Sequence, residues 1–246
     1  MNRNNFLELI EQSEIRNHKE YLLQVSRPAF DILKQKEVEL RLGSSRFGGA
    51  PDLPAGSEWP TYGTNPYRFL GQINFAEIPP TEAGLPTKGL LSLFTANNHP
   101  DEDAYLEVFE DGYLHAIYIP EPTNLEMIMA PYPNLGKAVA IGFSQTLDIP
   151  YDEYQAKDWP FTEEESEIYT DIRETLHKSS DYLLGYPSYY SLAYNPTPGA
   201  EWISFLTIDS DDDLEWCWHD GGKLMLFIEL ERLKKRDFSK LKSDAG

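Results

Sequence analysis

Two apolar runs, Trp202–Ile208 and Lys223–Leu230, flank a loop that carries Asp209, Asp211, Asp212, Asp213, Glu215 and Asp220. Runs of this length, rich in aliphatic and aromatic side chains and bounded by Asp and Gly, read as strands. They are the most strand-like segments of the chain, and they place its most acidic and aromatic residues side by side.

Similar signals recur upstream. Phe69–Phe75 and Gly89–Phe94 read as strands, and Lys137–Phe143 as a short one. Ala104–Phe109 and Tyr113–Ile119 flank Asp111-Gly112, a pair suited to tight hairpin turns, and together predict a hairpin. Val38, Leu40 and Leu42 alternate with Glu39 and Arg41 as in a half-buried strand. Gly43 to Pro54 is too rich in Gly and Pro for regular structure and predicts turns. Pro120, Pro122, Pro131 and Pro133 make the following stretch irregular.

Helical signals are fewer. Phe6, Leu9, Ile10, Leu22, Leu23 and Val25 give residues 1–35 an apolar face, with a break near Pro28 and a further short helix over Ala29–Lys34. Thr162-Glu-Glu-Glu165 is a capping-box signature. Ile168, Ile172 and Leu176 then continue an amphipathic helix over 163–178. The basic tail from Arg232 to Lys242 reads as a solvated helix end and a frayed terminus.

The two halves of the chain echo each other. Gly49-x-Pro51 matches Gly185-x-Pro187, Gln72-Ile-Asn74 matches Thr207-Ile-Asp209, and Gly89-x-Leu-x-Leu-Phe94 matches Gly222-x-Leu-x-Leu-Phe227. Three matches in order predict a duplication, with units at about 1–135 and 150–235. Neither unit buries a sheet alone, so the expectation is one α+β domain over residues 1–246, with antiparallel sheets and N-terminal and mid-chain helices.

These motifs, taken in order, carry a resemblance. Gly48-Gly-x-Pro-Asp-Leu-Pro54 with Trp59-Pro60, Phe69-Leu-x-Gln-Ile73, Gly185-Tyr-Pro187, Ile208-Asp-Ser-Asp211 and Trp218-x-Asp-x-Gly222 resemble the bacterial YwqG-like family over roughly residues 40–230. That is a domain-of-unknown-function family. The resemblance implies a cytoplasmic bacterial protein of mixed α+β structure. Relatives in toxin–immunity neighbourhoods imply protein binding. Two positions depart from the family pattern: Thr207 stands where Gln is usual, and His219 where Gly is usual. The motif residues Gly48, Gly49, Pro51, Asp52, Trp59, Gln72, Tyr186 and Trp218 are the candidates for a binding surface.

Charge narrows the partners. The chain carries 41 acidic and 21 basic residues, for a net charge of −20. Such a charge opposes binding to nucleic-acid phosphates or to an anionic membrane surface, and it suits a basic protein partner. One cysteine, Cys217, excludes an intrachain disulfide or a Cys-based zinc cage within the chain. The N-terminal residues have no signal-peptide h-region, and no apolar run is long enough to span a membrane. The expected location is the cytoplasm.

Chemistry is weighed best at the acidic loop. Asp209, Asp211 and Asp213 stand at positions 1, 3 and 5 of a calcium loop, with Glu215 at 7 and Asp220 at 12. Position 6 is Leu214, where such a loop needs Gly for its turn, and this argues against an EF-hand. A looser Ca²⁺ or Mg²⁺ site on Asp209, Asp211 and Asp220 is one expectation; a solvated Asx-turn is the other. His115 and His177 have no motif context. Cys217 has no activating neighbour beyond His219 and reads as unreactive. There is no Gly-x-Ser-x-Gly elbow and no phosphate-binding glycine motif. The main functional expectation is a non-enzymatic, immunity-like binding protein that engages its partner through an acidic surface, without a cofactor. The alternative is a metal-dependent hydrolase using Asp209, Asp211 and Asp220. A small-molecule binding module on the Gly-Pro and Tyr loops is a third.

Overall fold

Pro28 is the second residue of a strand. In the computed structural model, which describes residues 1–96, 106–132 and 136–246, helices α1 (Arg3–Gln12) and α2 (Lys19–Val25) end before it, and β1 (Arg27–Gln35) follows. The sequence predicts a short helix over Ala29–Lys34. Ala29 to Ile32 are instead buried on both faces of a sheet, so they lack the alternation that marks a half-exposed strand. Val38, Leu40 and Leu42 form no strand and are exposed. Glu39 and Arg41 are exposed as well, so among the described residues neither face of the alternation is buried.

The remaining elements are β2 (Arg46–Gly48), β3 (Asp52–Pro54), β4 (Thr61–Tyr62), β5 (Asn65–Pro66), β6 (Arg68–Asn74), β7 (Leu90–Thr95), β8 (Leu114–Ile119), β9 (Leu125–Met127) and β10 (Ala138–Asp148). Then come α3 (Glu163–Leu176), β11 (Tyr182–Leu184), β12 (Trp202–Asp209), β13 (Lys223–Glu229), α4 (Leu230–Lys234) and β14 (Lys242–Ala245). The fold is mostly β, more so than the α+β expectation. The Gly- and Pro-rich span expected to hold only turns supplies β2 and β3. Part of the predicted first hairpin arm, Ala104 and Tyr105, lies outside the described residues; Leu106–Phe109 is not a strand. Its second arm, β8, pairs with β7 instead. The basic tail ends in β14, which pairs with β13 rather than fraying.

Ten strands make one antiparallel sheet in the order β14-β13-β12-β11-β1-β10-β2-β6-β7-β8. The sheet curls until its edges approach, forming a near-barrel. Phe238, just before β14, packs on Tyr118 of β8 at 5.1 Å between ring centroids, and Ser243 of β14 donates to the Val108 carbonyl. Phe30, Phe47, Phe94, Phe205, Leu226 and their neighbours fill the interior as one apolar core. Outside the sheet, Phe6 and Ile10 of α1, Leu22 of α2, and Tyr169, Ile172 and Leu176 of α3 form a second cluster with Ile149 and Phe161.

The sheet order is a mirror about the β1–β10 seam. It reads outward as β11, β12, β13, β14 on one side and β2, β6, β7, β8 on the other. Local bonds repeat across it. Asn74 N–H donates to Ser45 Oγ at 2.8 Å, and Asp209 N–H to Asp181 Oδ1 at 2.8 Å. Phe75 N–H donates to Gly89 O at 3.0 Å, and Ser210 N–H to Gly222 O at 3.1 Å. The matched sequence motifs fall at these corresponding positions. The halves also interleave, because β1 pairs with β11 while β10 pairs with β2.

Candidate functional site

Two buried polar networks occupy mirrored positions beside the seam. The first joins β2, β3 and β6. Arg46 donates from Nη2 to Ala50 O and to Asp52 Oδ1, both at 2.6 Å. Gln72 Nε2 donates to Asp52 Oδ2 at 2.9 Å, and its carbonyl accepts the Asp52 N–H at 2.9 Å. Gly43 N–H completes the Asp52 carboxylate at 2.7 Å. The Asp52 carboxylate is thus satisfied from within the chain, by Arg46, Gln72 and Gly43. It holds the chain turn at Gly48-Gly49-Ala50-Pro51. Gly48 has φ +67°, and a Cβ there would lie 2.2 Å from Lys137 O. Gly48, Gly49, Pro51, Asp52 and Gln72 therefore build the fold, and Arg46 is not free to hold an anion there.

The second network joins β11, β10, α3 and β13. Tyr182 OH donates to Tyr186 O at 2.7 Å and accepts from Ser188 Oγ at 2.8 Å. These are the mirror positions of the Arg46 bonds to Ala50 O and Asp52. Ser188 in turn accepts from Lys223 Nζ at 3.2 Å. Behind Tyr182 lies Asp148, fully buried, which accepts from the N–H groups of Tyr186 and Ile149. Its Oδ1 is 3.2 Å from Arg173 Nη2 and 3.1 Å from His177 Nε2. His177 Nδ1 is 2.8 Å from Asp31 Oδ1. Burial works against the Asp148 charge, but Arg173, His177 and the Tyr186 N–H outweigh it and lower its pKa. Burial likewise opposes a charged His177, yet its bonds to Asp148 and Asp31 prevail and raise its pKa. Gly185, at φ +70°, is needed where it stands: a Cβ would meet Asp148 Oδ2 at 2.6 Å.

This network opens on a cavity of about 590 Å³, lined among others by Tyr151, Arg173, His177, Tyr182, Ser188 and Lys223. None of Asp148, Arg173, Ser188 and Lys223 stands out by motif, and His177 has no motif context. The sequence does hold a signal for three of them. Arg173 and His177 are spaced i, i+4 on the apolar side of α3, where Tyr169, Ile172 and Leu176 are buried. Lys223 opens a run that is otherwise apolar as far as Ile228.

The acidic loop is arranged differently from the expected metal site. Asp211 caps a single helical turn, accepting the Leu214 N–H, and its Oδ2 lies 2.5 Å from Lys34 Nζ. Lys34 also meets Asp181 Oδ2 at 2.9 Å. Lys36 and Lys137 bracket Asp213 at 2.8 and 2.9 Å and lower its pKa to about 2. Asp209 accepts from Tyr190 OH at 3.0 Å, and Asp220 lies exposed in the following turn. Asp209, Asp211 and Asp220 are thus not brought together: among the described residues no group of three or more His, Cys, Asp or Glu side chains is placed to hold a metal ion. The lysines that neutralise this loop come from β1, its flank and the start of β10, which local spacing does not reveal.

The aromatic candidates divide. Trp59 Nε1 donates to Tyr67 O at 2.8 Å, and its ring packs edge-on against Phe94 and Tyr132. Tyr186 and Tyr189 are buried, while Tyr190 and Tyr194 are exposed. Trp218 lines a second cavity of about 440 Å³ at the approaching sheet edges, with Arg68, Trp216 and His219. Cys217 is exposed, with Sγ 3.2 Å from His219 O.

Fold and networks together define a β-rich protein built on a ten-stranded, interleaved antiparallel sheet, with no helix among the described residues long and apolar enough to cross a membrane. The chain belongs to the domain-of-unknown-function family DUF1963, whose family model matches residues 45–243. The match covers both networks apart from Gly43 and Asp31. Comparison with curated proteins gives no match.

Proposed function

We propose that this is a cytoplasmic binding protein without catalytic activity of its own, which recognises a basic protein partner through an acidic face. The observation that carries the reading is the outer stripe of α3. Glu163, Glu167, Asp171 and Glu174 are spaced i, i+4, i+8, i+11 and are all exposed. Among the described residues none of them is in an ion pair. Unneutralised carboxylates in one row, on a chain of net charge −20, steer and hold a cationic surface. An immunity-like role against a basic toxin is the most concrete form of this function. A YwqG-like placement within the family, in a bacterial cell, fits it. The mirrored strand order supports an origin by duplication of two similar halves. A metal-dependent hydrolase finds no support in the loop, where lysines and Tyr190 engage the carboxylates that would bind the ion.

The test is co-expression with the products of neighbouring genes, followed by affinity capture at low and high salt. A partner should be retained at low salt and released at high salt. The combined variant Glu163→Lys, Glu167→Lys, Asp171→Lys should fold and lose it. Equal capture by this variant, or capture of no neighbouring product by the natural chain, overturns the reading.

A further inference from the structure

We propose that the cavity between α3, the turn at residues 186–190 and β13 is a binding pocket for the oxyanion group of a small molecule, with Lys223 as its principal cation. At about 590 Å³ it falls within the range of small-ligand sites.

Lys223 is the central observation. It is only 8% exposed. Its Nζ donates to Ser188 Oγ and sits 4.7 Å from the Tyr190 ring centroid. Among the described residues no carboxylate forms an ion pair with it. Asp209, its cross-strand neighbour, accepts from Tyr190 instead. A buried ammonium without a counter-charge is costly, and cores replace such groups readily unless something uses them. Burial also pushes the Lys223 pKa down, outweighing the longer-range pull of Asp209, Asp181 and Asp148.

Arg173 supplies the second donor. Its Nε is used by Ile149 O and its Nη2 by Asp148 and Tyr182. Nη1 has no protein partner among the described residues, and the side chain lines the cavity. The wall carries Arg173, Lys178 and Lys223 against one carboxylate, Glu174, in a chain that is acidic elsewhere. Asp148 and Asp31 sit behind Arg173 and His177 and are engaged by them. The first network makes the contrast: at its mirror position Asp52 supplies the negative charge from within the chain, where the second has only Ser188. Carboxylate and phosphate groups share the required chemistry, and hydroxyls from Ser179, Ser180 and Tyr151 suit the polar body of a ligand.

The experiment is calorimetric titration of the full chain with inorganic phosphate and, separately, with malonate, at constant ionic strength set by chloride. Saturable binding of at least one is expected, weakened about tenfold or more in Lys223→Met and unchanged in Lys36→Met. Lys223→Met should also melt higher than the natural chain in the absence of anion, because an uncompensated charge is gone. Ser188→Ala, which removes the hydroxyl that holds the ammonium, should weaken binding too and serves if Lys223→Met does not fold. Response to phosphate alone or malonate alone identifies which group the natural ligand carries. No saturable binding of either anion, or binding that Lys223→Met and Ser188→Ala leave intact, overturns the proposal.

Discussion

His177 Nδ1 lies 2.8 Å from Asp31 Oδ1, tying the C-terminal end of α3 to the central strand β1. The same ring reaches Asp148 from its other nitrogen. Between two carboxylates the imidazolium is favoured despite its burial, and the folded-state pKa rises above the ordinary value of 6.5. The folded protein then holds this proton more tightly than the unfolded chain does. The contact's stabilisation is complete below about pH 6.5 and fades as pH climbs through the raised value. Melts across the neutral-to-alkaline range should fall more steeply for the natural chain than for His177→Gln. An NMR titration should place the His177 midpoint above the ordinary value of 6.5; a midpoint at or below it sinks the assignment.

The Asp52 carboxylate is enclosed by Arg46, Gln72 and Gly43. Replacing it by Ala leaves the Arg46 guanidinium buried without its counter-charge. Breaking one side of a buried pair costs about 3–5 kcal/mol. Urea denaturation of Asp52→Ala should show a loss of that size, whereas Asp213→Ala, on the surface, should be near neutral. A loss of under about 1 kcal/mol at Asp52 would mean the network is not a structural clamp.

Much of this could be read in the chain, and the rest could not for identifiable reasons. The capping box at Thr162 and Glu165 forms as its local spacing predicts, because both partners lie within one helical turn. Trp202–Ile208 and Lys223–Leu230 read as strands from their apolar content, and β12 (Trp202–Asp209) and β13 (Lys223–Glu229) form there and pair with each other. β1 escaped because burial on both faces erases alternation. β14, Lys-Ser-Asp-Ala, has little strand propensity and is held by its pairing with β13. The repeated motifs mark matching corners of the sheet. The residues bonded there differ, though, Arg46 and Asp52 on one side and Tyr182 and Ser188 on the other, so matching identities does not reveal that the positions correspond. Lys34, Lys36 and Lys137 neutralise an acidic loop far along the chain, and no window on the loop includes them.

That neutralisation makes a prediction about metal ions. Asp211 is held by Lys34 and Asp213 by Lys36 and Lys137. A cation would have to displace these lysines. Ca²⁺, Mg²⁺, Mn²⁺ and Zn²⁺ should therefore leave the melting temperature unchanged, equally in the natural chain and in Asp209→Asn. An ion at 100 times its dissociation constant would add about 2.7 kcal/mol, a shift of a few degrees. A shift specific to one ion and lost in Asp209→Asn would restore the metal-site reading.

Leu184 and Gly48 occupy mirror positions with nearly the same backbone, at φ +62° and +67°. At Gly48 no side chain fits, since the Lys137 carbonyl lies where its Cβ would be. At Leu184 the side chain is buried in the barrel core, and its packing offsets a left-handed conformation that costs an L-residue about 1–2 kcal/mol. Both truncations of Leu184 lose the same core contacts, but only Gly also relieves the backbone. In ordinary extended or helical positions Ala is the more stable of the two by roughly 0.5–1 kcal/mol. Here the order should invert, with Leu184→Gly more stable than Leu184→Ala by about 1 kcal/mol. Denaturant midpoints of the two variants measure this directly. If Ala proves the more stable, the turn does not hold Leu184 in the left-handed region, and the mirrored backbone at the two networks is not real.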